Sequence, residues 1–315
     1  MPVAQDTIAP EQWQRRRWEW YLAPMPSSTS TFIELRGFRH HVREWGAVGE
    51  GPTVFLLHGW GDVSATFQFL ADEMGPGWHL VAPDWRGFGR SARCGDVYWF
   101  PDYLADLDAL LKHYRPHGEV DLVGHSMGGN VACMYAGVRP SRVRKLVALD
   151  AFGLPERGAE EAPGRFEKWL KQVGSPDGFR SYPDTDAFAR RLMRDNPRLR
   201  EVQARFLAGE LTEPDGEGGV RVAIDPAHRN VNPVLYRRAE VEACWRRVVA
   251  DVLWLVQADP AWRRRIGVDD ATYRDACACF RHFRELEVAD SGHSMHHDQP
   301  AAVAANLIDF FGKQV

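Results

Sequence analysis

The stretch Val120-Asp121-Leu122-Val123-Gly124-His125-Ser126-Met127-Gly128-Gly129-Asn130-Val131-Ala132-Cys133-Met134-Tyr135-Ala136 decides the fold. Its first four residues read as a short buried strand and Val131 to Ala136 as a helix, with Gly-x-Ser-x-Gly as the turn between them. In such a turn the serine occupies strained backbone, and the small residues around it let strand and helix approach closely. Its Oγ is lifted out of the sheet. The next amide, that of Met127, falls at a helix N-terminus, where a free N–H can hold a developing negative charge. A chance Gly/Ser-rich loop is the alternative for the pentapeptide alone. The strand before it and the helix after it favour Ser126 as a nucleophile.

Similar apolar runs flank this one. Thr53–Leu57 ends at His58-Gly59, Trp78–Ala82 at Pro83-Asp84, and Lys145–Leu149 at Asp150; Val252–Val256 and Arg284–Val288 follow later. Short, nearly continuous runs suit strands buried on both faces of a parallel sheet. Between them, Leu104, Leu107, Leu110, Leu111 and Tyr114 mark one helical face behind Pro101, and Val303, Leu307, Phe310 and Phe311 another before Gly312. The alternation predicts an α/β fold with a mostly parallel central sheet and helices on both faces. It breaks between about Gly153 and Glu240, where charges are dense and Phe166, Trp169, Leu170 and Val173 have helical spacing around an acidic glycine loop, Glu213–Gly219. The expected organisation is an N-terminal appendage over 1–30, a core over 31–152 and 241–315, and a mainly helical insertion over 153–240. In the appendage Trp13, Trp18, Trp20 and Tyr21 alternate with Arg15, Arg16 and Arg17; a short helix packed on its own body is preferred to a membrane-surface helix.

Composition narrows the function classes. The 315 residues are 44% hydrophobic, with 39 basic and 43 acidic residues and a net charge of -4, which argues against a nucleic-acid binder. No apolar run approaches the ~20 residues of a bilayer span, so no integral membrane association is expected. The start, Met1-Pro2-Val3-Ala4-Gln5-Asp6, lacks the pattern of a secretory signal. Five cysteines in a chain of this length fit free thiols in a reducing compartment, so a cytoplasmic location is expected.

At these residues the chain resembles the α/β-hydrolase superfamily, over most of 31–315. His58-Gly59-Trp60 looks like the family's turn after the third strand, whose following N–H, here that of Trp60, is the second oxyanion donor. Asp84-Trp85-Arg86-Gly87-Phe88-Gly89-Arg90-Ser91 resembles an architectural loop of the family, in which Gly87 and Gly89 supply turn conformations. A serine hydroxyl needs a base. Ala289-Asp290-Ser291-Gly292-His293, after the last strand run, stands where the family places it, so His293 is the expected base. His58 and His125 are expected as packing or supporting residues.

The acid has two candidates, both after strand-like runs. Asp259 follows Val252–Val256 and precedes Pro260, which matches the family's usual acid after the insertion, although Gln257 and Ala258 stand where a glycine is expected and the turn is short. Asp150 ends Leu146–Leu149, where some members of the family carry the acid. Asp259 is the expectation and Asp150 the alternative; either aspartate is also a plausible turn residue or helix cap. His293, His296, His297 and Asp298 also suggest a metal cluster, but nothing elsewhere supplies a matching ligand set. No metal and no cofactor are expected, and His296 and His297 are placed in a solvated loop or at a pocket rim.

Serine at the elbow implies acyl transfer, since superfamily members acting on epoxides and haloalkanes use an aspartate there. A carboxylic ester is the first choice. C–C bond, thioester or lactone hydrolysis on the same triad is the alternative, as is a slow-turnover ligand-binding member of the fold. The insertion loosely resembles that of a serine hydrolase-like branch. His125, Phe166 and Trp169 are candidate pocket residues for an apolar acyl group, and Arg229 for a carboxylate; packing within the insertion accounts equally well for Phe166 and Trp169.

Overall fold

The six apolar runs lie side by side in one sheet in a computed structural model that describes residues 28–95, 97–175 and 177–312. In chain order the elements are β1 (Thr29–Leu35), β2 (Phe38–Trp45), β3 (Thr53–Leu57), α1 (Gln68–Met74), β4 (His79–Pro83), α2 (Phe100–Tyr114), β5 (Val120–His125), α3 (Met127–Val138) and β6 (Val143–Leu149). The segment up to the next sheet strand holds α4 (Ala162–Gln172), α5 (Thr185–Asp195), α6 (Glu201–Leu211), β7 (Thr212–Pro214), β8 (Val220–Val222) and α7 (Arg238–Trp245). The chain closes with β9 (Asp251–Gln257), α8 (Ala261–Arg265), α9 (Asp270–Cys277), β10 (Phe283–Val288), α10 (Met295–Asp298) and α11 (Pro300–Phe311). The tryptophans expected in an N-terminal helix lie outside the described residues.

The eight-stranded sheet has the order β1-β2-β4-β3-β5-β6-β9-β10, parallel from β4 to β10. The antiparallel β1 and β2 extend it at one edge through a two-residue turn, Arg36-Gly37, in which both residues have positive φ. Side chains alternate across the sheet. Phe55, Leu57, Leu122, Leu146 and Ala148 pack with α2, α3 and the buried Trp245 on one face; Val54, Leu56, Val123, Val147 and Leu253 pack with α1 and α11 on the other. This is why the central strands read as unbroken apolar runs: both faces are covered.

The inserted segment has a small core of its own, Tyr182, Phe188, Leu199, Ala204 and Leu207, set against Phe69 of α1. It is not helical throughout. The acidic glycine loop is the tip of the β7–β8 hairpin, where Asp215 Oδ1 accepts from the N–H groups of Glu217 and Gly219. Trp245, at the end of α7, stacks on Phe280 at 5.6 Å between ring centroids and belongs to the main core.

Candidate active site

The parallel strands present their C-terminal ends at one edge of the sheet, and the residues singled out in the sequence collect there. Ser126 lies between β5 and α3 with φ 50° and ψ -115°, a region that residues other than glycine rarely occupy. Its N–H donates to Leu149 O at 3.0 Å and its carbonyl accepts from Asn130 N–H at 3.0 Å, which locks the turn. The neighbouring glycines are required by close approach. A Cβ on Gly128 would run into the carbonyl oxygen of Leu57, and one on Gly129 would stand 2.5 Å from Ala151 Cβ. Met127 is the first residue of α3, where backbone N–H groups have no acceptor within the helix.

His293 follows β10, and its Nδ1 donates to Asp150 Oδ2 at 2.6 Å. That bond leaves Nε2 with its lone pair, the form a general base requires. The Asp150 side chain is 1% exposed and that of His293 25%. Asp150 follows β6 directly with φ 50°, and its N–H donates to Leu255 O at 2.9 Å, so the backbone aims the carboxylate across the strand ends. The same Oδ2 accepts a 2.8 Å hydrogen bond from Gln257 Nε2 at the end of β9. Trp262 packs on the His293 ring, with centroids 4.6 Å apart. Asp259 is not part of this group. It is exposed, and its Oδ1 accepts from Ala261 N–H at 2.9 Å, the role of a turn residue ahead of α8. The residue that reaches His293's partner from this strand is Gln257, the last of β9, two residues before Asp259.

Gly59 packs against the elbow: a Cβ there would stand 3.2 Å from Ser126 Cβ. Trp60 follows it. The turn is braced from below, where His58 Nδ1 donates to Gly59 O at 2.7 Å and Nε2 accepts from Trp85 N–H at 2.9 Å. With one nitrogen donating and the other accepting, His58 is a neutral strut, and burial lowers its pKa accordingly. Asp84 ties the loop carrying Trp85 to its surroundings by accepting from Ser64 N–H, His41 Nδ1 and Arg90 N–H. Gly87 and Gly89 in that loop have φ of 74° and 55°. His125 is buried behind the elbow and its Nε2 donates to His293 O at 2.9 Å. Burial, reinforced by His296 and His293, holds its pKa well below the ordinary histidine range.

The model of the alpha/beta hydrolase family matches residues 54–306. The chain belongs to that family. This α/β-hydrolase is 27% identical over 292 residues to a serine hydrolase-like protein of Danio rerio, covering 89% of this chain and 86% of the relative. It is also 27% identical over 275 residues to a 3-hydroxybutyrate-oligomer hydrolase of Cupriavidus necator, covering 83% and 89%. Among solved structures, the thioesterase domain from the curacin biosynthetic pathway superposes with a TM-score of 0.78 at 23% identity, over 90% of this chain and 99% of that one, which is a likeness of fold.

Beside Met127 the α/β-hydrolase opens a cleft of about 160 Å³. Trp60, Tyr98, Trp99 and Tyr103 line it from the core, and Trp169 and His228 from the inserted segment. No Asp, Glu, Lys or Arg lines it among the described residues. His228 is sandwiched between Phe88 and Tyr98, at 4.0 and 3.6 Å, and burial lowers its pKa to about 4. Of the expected pocket residues only Trp169 lines the cleft. Phe166 projects from α4 and is 48% exposed; His125 lies behind the elbow. Arg229, a candidate for binding a carboxylate, donates instead to Gly178 O at 2.5 Å. The suspected grouping of His293, His296, His297 and Asp298 does not form. His293 faces Asp150, and Asp298 accepts from Gly292 N–H and Asn196 Nδ2. His296 and His297 are buried rather than solvated and converge on Asp62, whose position in the sequence carried no signal. Among the described residues no helix is long and apolar enough to cross a membrane.

Proposed function

We propose that this α/β-hydrolase is a serine esterase that works through an acyl-enzyme, with Ser126 as nucleophile, His293 as base and Asp150, in place of Asp259, as the acid. The observation that carries the reading is the 2.6 Å bond from His293 Nδ1 to the buried Asp150, beside a serine held in elbow geometry. Ser126 Oγ attacks the ester carbonyl carbon as its proton passes to His293 Nε2. The carbonyl oxygen becomes an oxyanion facing the N–H groups of Trp60 and Met127. Collapse of the intermediate breaks the bond to the leaving alkoxide, which takes the proton from His293. Water, deprotonated by the same nitrogen, then attacks the acyl-enzyme and releases the acid and Ser126.

The cleft supports a neutral substrate with an apolar or aromatic group, since aromatic rings dominate its walls and no Asp, Glu, Lys or Arg among the described residues lines it. The 153–240 segment acts in this reading as a cap that contributes Trp169 and His228 to the cleft. Thioesters, lactones and C–C bonds flanked by carbonyls would use the same parts, and an assay panel separates them. The expected result is that p-nitrophenyl esters of aromatic or medium-chain acids turn over and that a fluorophosphonate labels Ser126 alone. Ser126→Ala should lose activity by several orders of magnitude with an unchanged far-UV spectrum. Labelling of another serine, or full activity in Ser126→Ala, would overturn the assignment.

A further inference from the structure

Asp62, His296 and His297 form a second buried constellation, with the potential ligand atoms of all three within 4.8 Å of one another. Asp62 comes from the turn after β3 and the two imidazoles from α10. His296 is 0% exposed, and neither of its ring nitrogens has a hydrogen-bond partner among the described residues; the same holds for Nε2 of His297, which is 8% exposed. His296 Nε2 stands 3.8 Å from Asp62 Oδ2, too long for a hydrogen bond. Buried nitrogens left without partners are costly and call for an explanation. One nitrogen of each imidazole gathers with a carboxylate oxygen of Asp62, as ligands around a shared cation would.

We propose that Asp62, His296 and His297 bind a zinc ion and that the bound ion inhibits the enzyme. Two imidazole nitrogens and one carboxylate oxygen, with a water as fourth ligand, make a donor set suited to zinc. The Asp62 side chain is 11% exposed, which leaves the carboxylate within reach of an incoming ion. Bonds of 2.0–2.2 Å bring tetrahedral ligands to about 3.4 Å from one another, so the cluster has to contract around the ion. That contraction reaches His293. The N–H groups of His297 and Asp298 donate to Ser294 O at 2.8 and 3.2 Å, and Asp298 Oδ2 accepts from Gly292 N–H at 2.8 Å. The His125 ring, 4.6 Å from His296, bonds to the His293 carbonyl oxygen. Pulling α10 towards Asp62 therefore drags the loop that aims His293 at Asp150. The inhibition rests on the serine esterase reading; the binding does not.

The test separates the two. Metal-free protein is titrated with Co²⁺ as a spectroscopic stand-in and followed by visible absorption. One ion per chain is expected, with d–d bands and no thiolate charge-transfer band, in the wild type and in Ser126→Ala alike. Zn²⁺ should then lower p-nitrophenyl ester hydrolysis at least tenfold, reversibly with EDTA. Asp62→Asn and His297→Gln, each compared with its own metal-free rate, should need at least about tenfold more Zn²⁺ for the same fractional loss and should lose the one-ion Co²⁺ spectrum. Near-UV circular dichroism shows which of the two variants keeps its packing, and either suffices. A thiolate band, binding unchanged in a folded variant, or no stoichiometric binding overturns the site. Stoichiometric binding without inhibition of an active esterase overturns the inhibitory role.

Discussion

Asp150 sits at φ 50° directly after β6, with its side chain buried, and its Oδ2 serves both His293 Nδ1 and Gln257 Nε2. In the proposed mechanism a carboxylate so placed fixes the histidine tautomer and stabilises the imidazolium that forms when Ser126 loses its proton. An amide cannot do the second and presents the wrong group for the first. Asp150→Asn is therefore expected to lower kcat by roughly 10⁴-fold, and Asp259→Asn, which touches only a turn at Ala261, by less than about threefold. Steady-state kinetics of the pair decide the matter, and the opposite ordering would return the role to Asp259. Gln257 acts through Asp150. Removing its hydrogen bond in Gln257→Leu should cost about tenfold in kcat with KM little changed, and Gln257→Asn should not recover it, because its shorter side chain falls short of Oδ2; a change confined to KM would place Gln257 in substrate binding instead. Of the proposed triad, Ser126 and His293 were legible because each stands in a local motif at a strand end. The acid was less so. Both candidates end strands, and which one faces His293 depends on strand order and backbone direction, which are set far from either residue. The missing glycine at Gln257 and Ala258 and the short turn were the local signs against Asp259.

Among the elements, the fully covered strands were the easiest to read, and the hairpin of β1 and β2 was missed. Thr29–Leu35 is exposed along most of its length, and Phe38–Trp45 mixes His40, His41, Arg43 and Glu44 into its apolar pattern. An edge strand with one neighbour needs no continuous apolar run. Nor does the dense charge of the inserted segment reveal its short β7–β8 hairpin, which only three residues a side define. Close packing of elements gives a sharper test than either. Gly128 brings α3 against β3 so closely that an added methyl group meets the backbone oxygen of Leu57, which cannot rotate away. Gly128→Ala should destabilise the protein by about 1–3 kcal/mol, seen as a lower urea midpoint at unchanged slope. Gly209 lies within α6, exposed and with open space around it. Gly209→Ala should raise stability by roughly 0.5–1 kcal/mol, since the helix favours alanine and the unfolded chain loses freedom. Equal effects of the two substitutions would mean that the tight contact of α3 with β3 is not what holds the elbow in place.

At the scale of the whole molecule, the fold buries several histidines in neutral form, and this sets its response to acid. His58 and His125 have lowered pKa values, His297 is lowered to about 3 and His228 to about 4, with burial the leading cause in each case. In the unfolded chain each titrates near ~6.5. Above that pH neither state binds the proton and the histidines are neutral in the balance. As pH falls below it, the unfolded chain takes up protons that the folded protein refuses, so stability drops until the folded-state value is reached. For His228 alone the span from about 6.5 to about 4 corresponds to a loss on the order of 3 kcal/mol. Paired carboxylates act in the same direction but later. Burial works to raise the Asp84 pKa, but His41, the Arg90 N–H and neighbouring charge together outweigh it and lower the value to about 2, so its contribution is lost only as pH falls from the unfolded carboxylate range towards that value. Acid unfolding should thus come in two stages, a histidine stage between about pH 6.5 and 4 and a carboxylate stage below it. The melting temperature should be nearly level from pH 8 to 7 and fall by about 6 °C or more between pH 6.5 and 4.5. In His228→Gln, whose side chain does not titrate, the slope of that fall should be shallower, whatever the variant's stability at pH 8. A melting temperature flat down to pH 4.5, or an unchanged slope in His228→Gln, would mean that the ring between Phe88 and Tyr98 accepts its proton without disturbing the cleft.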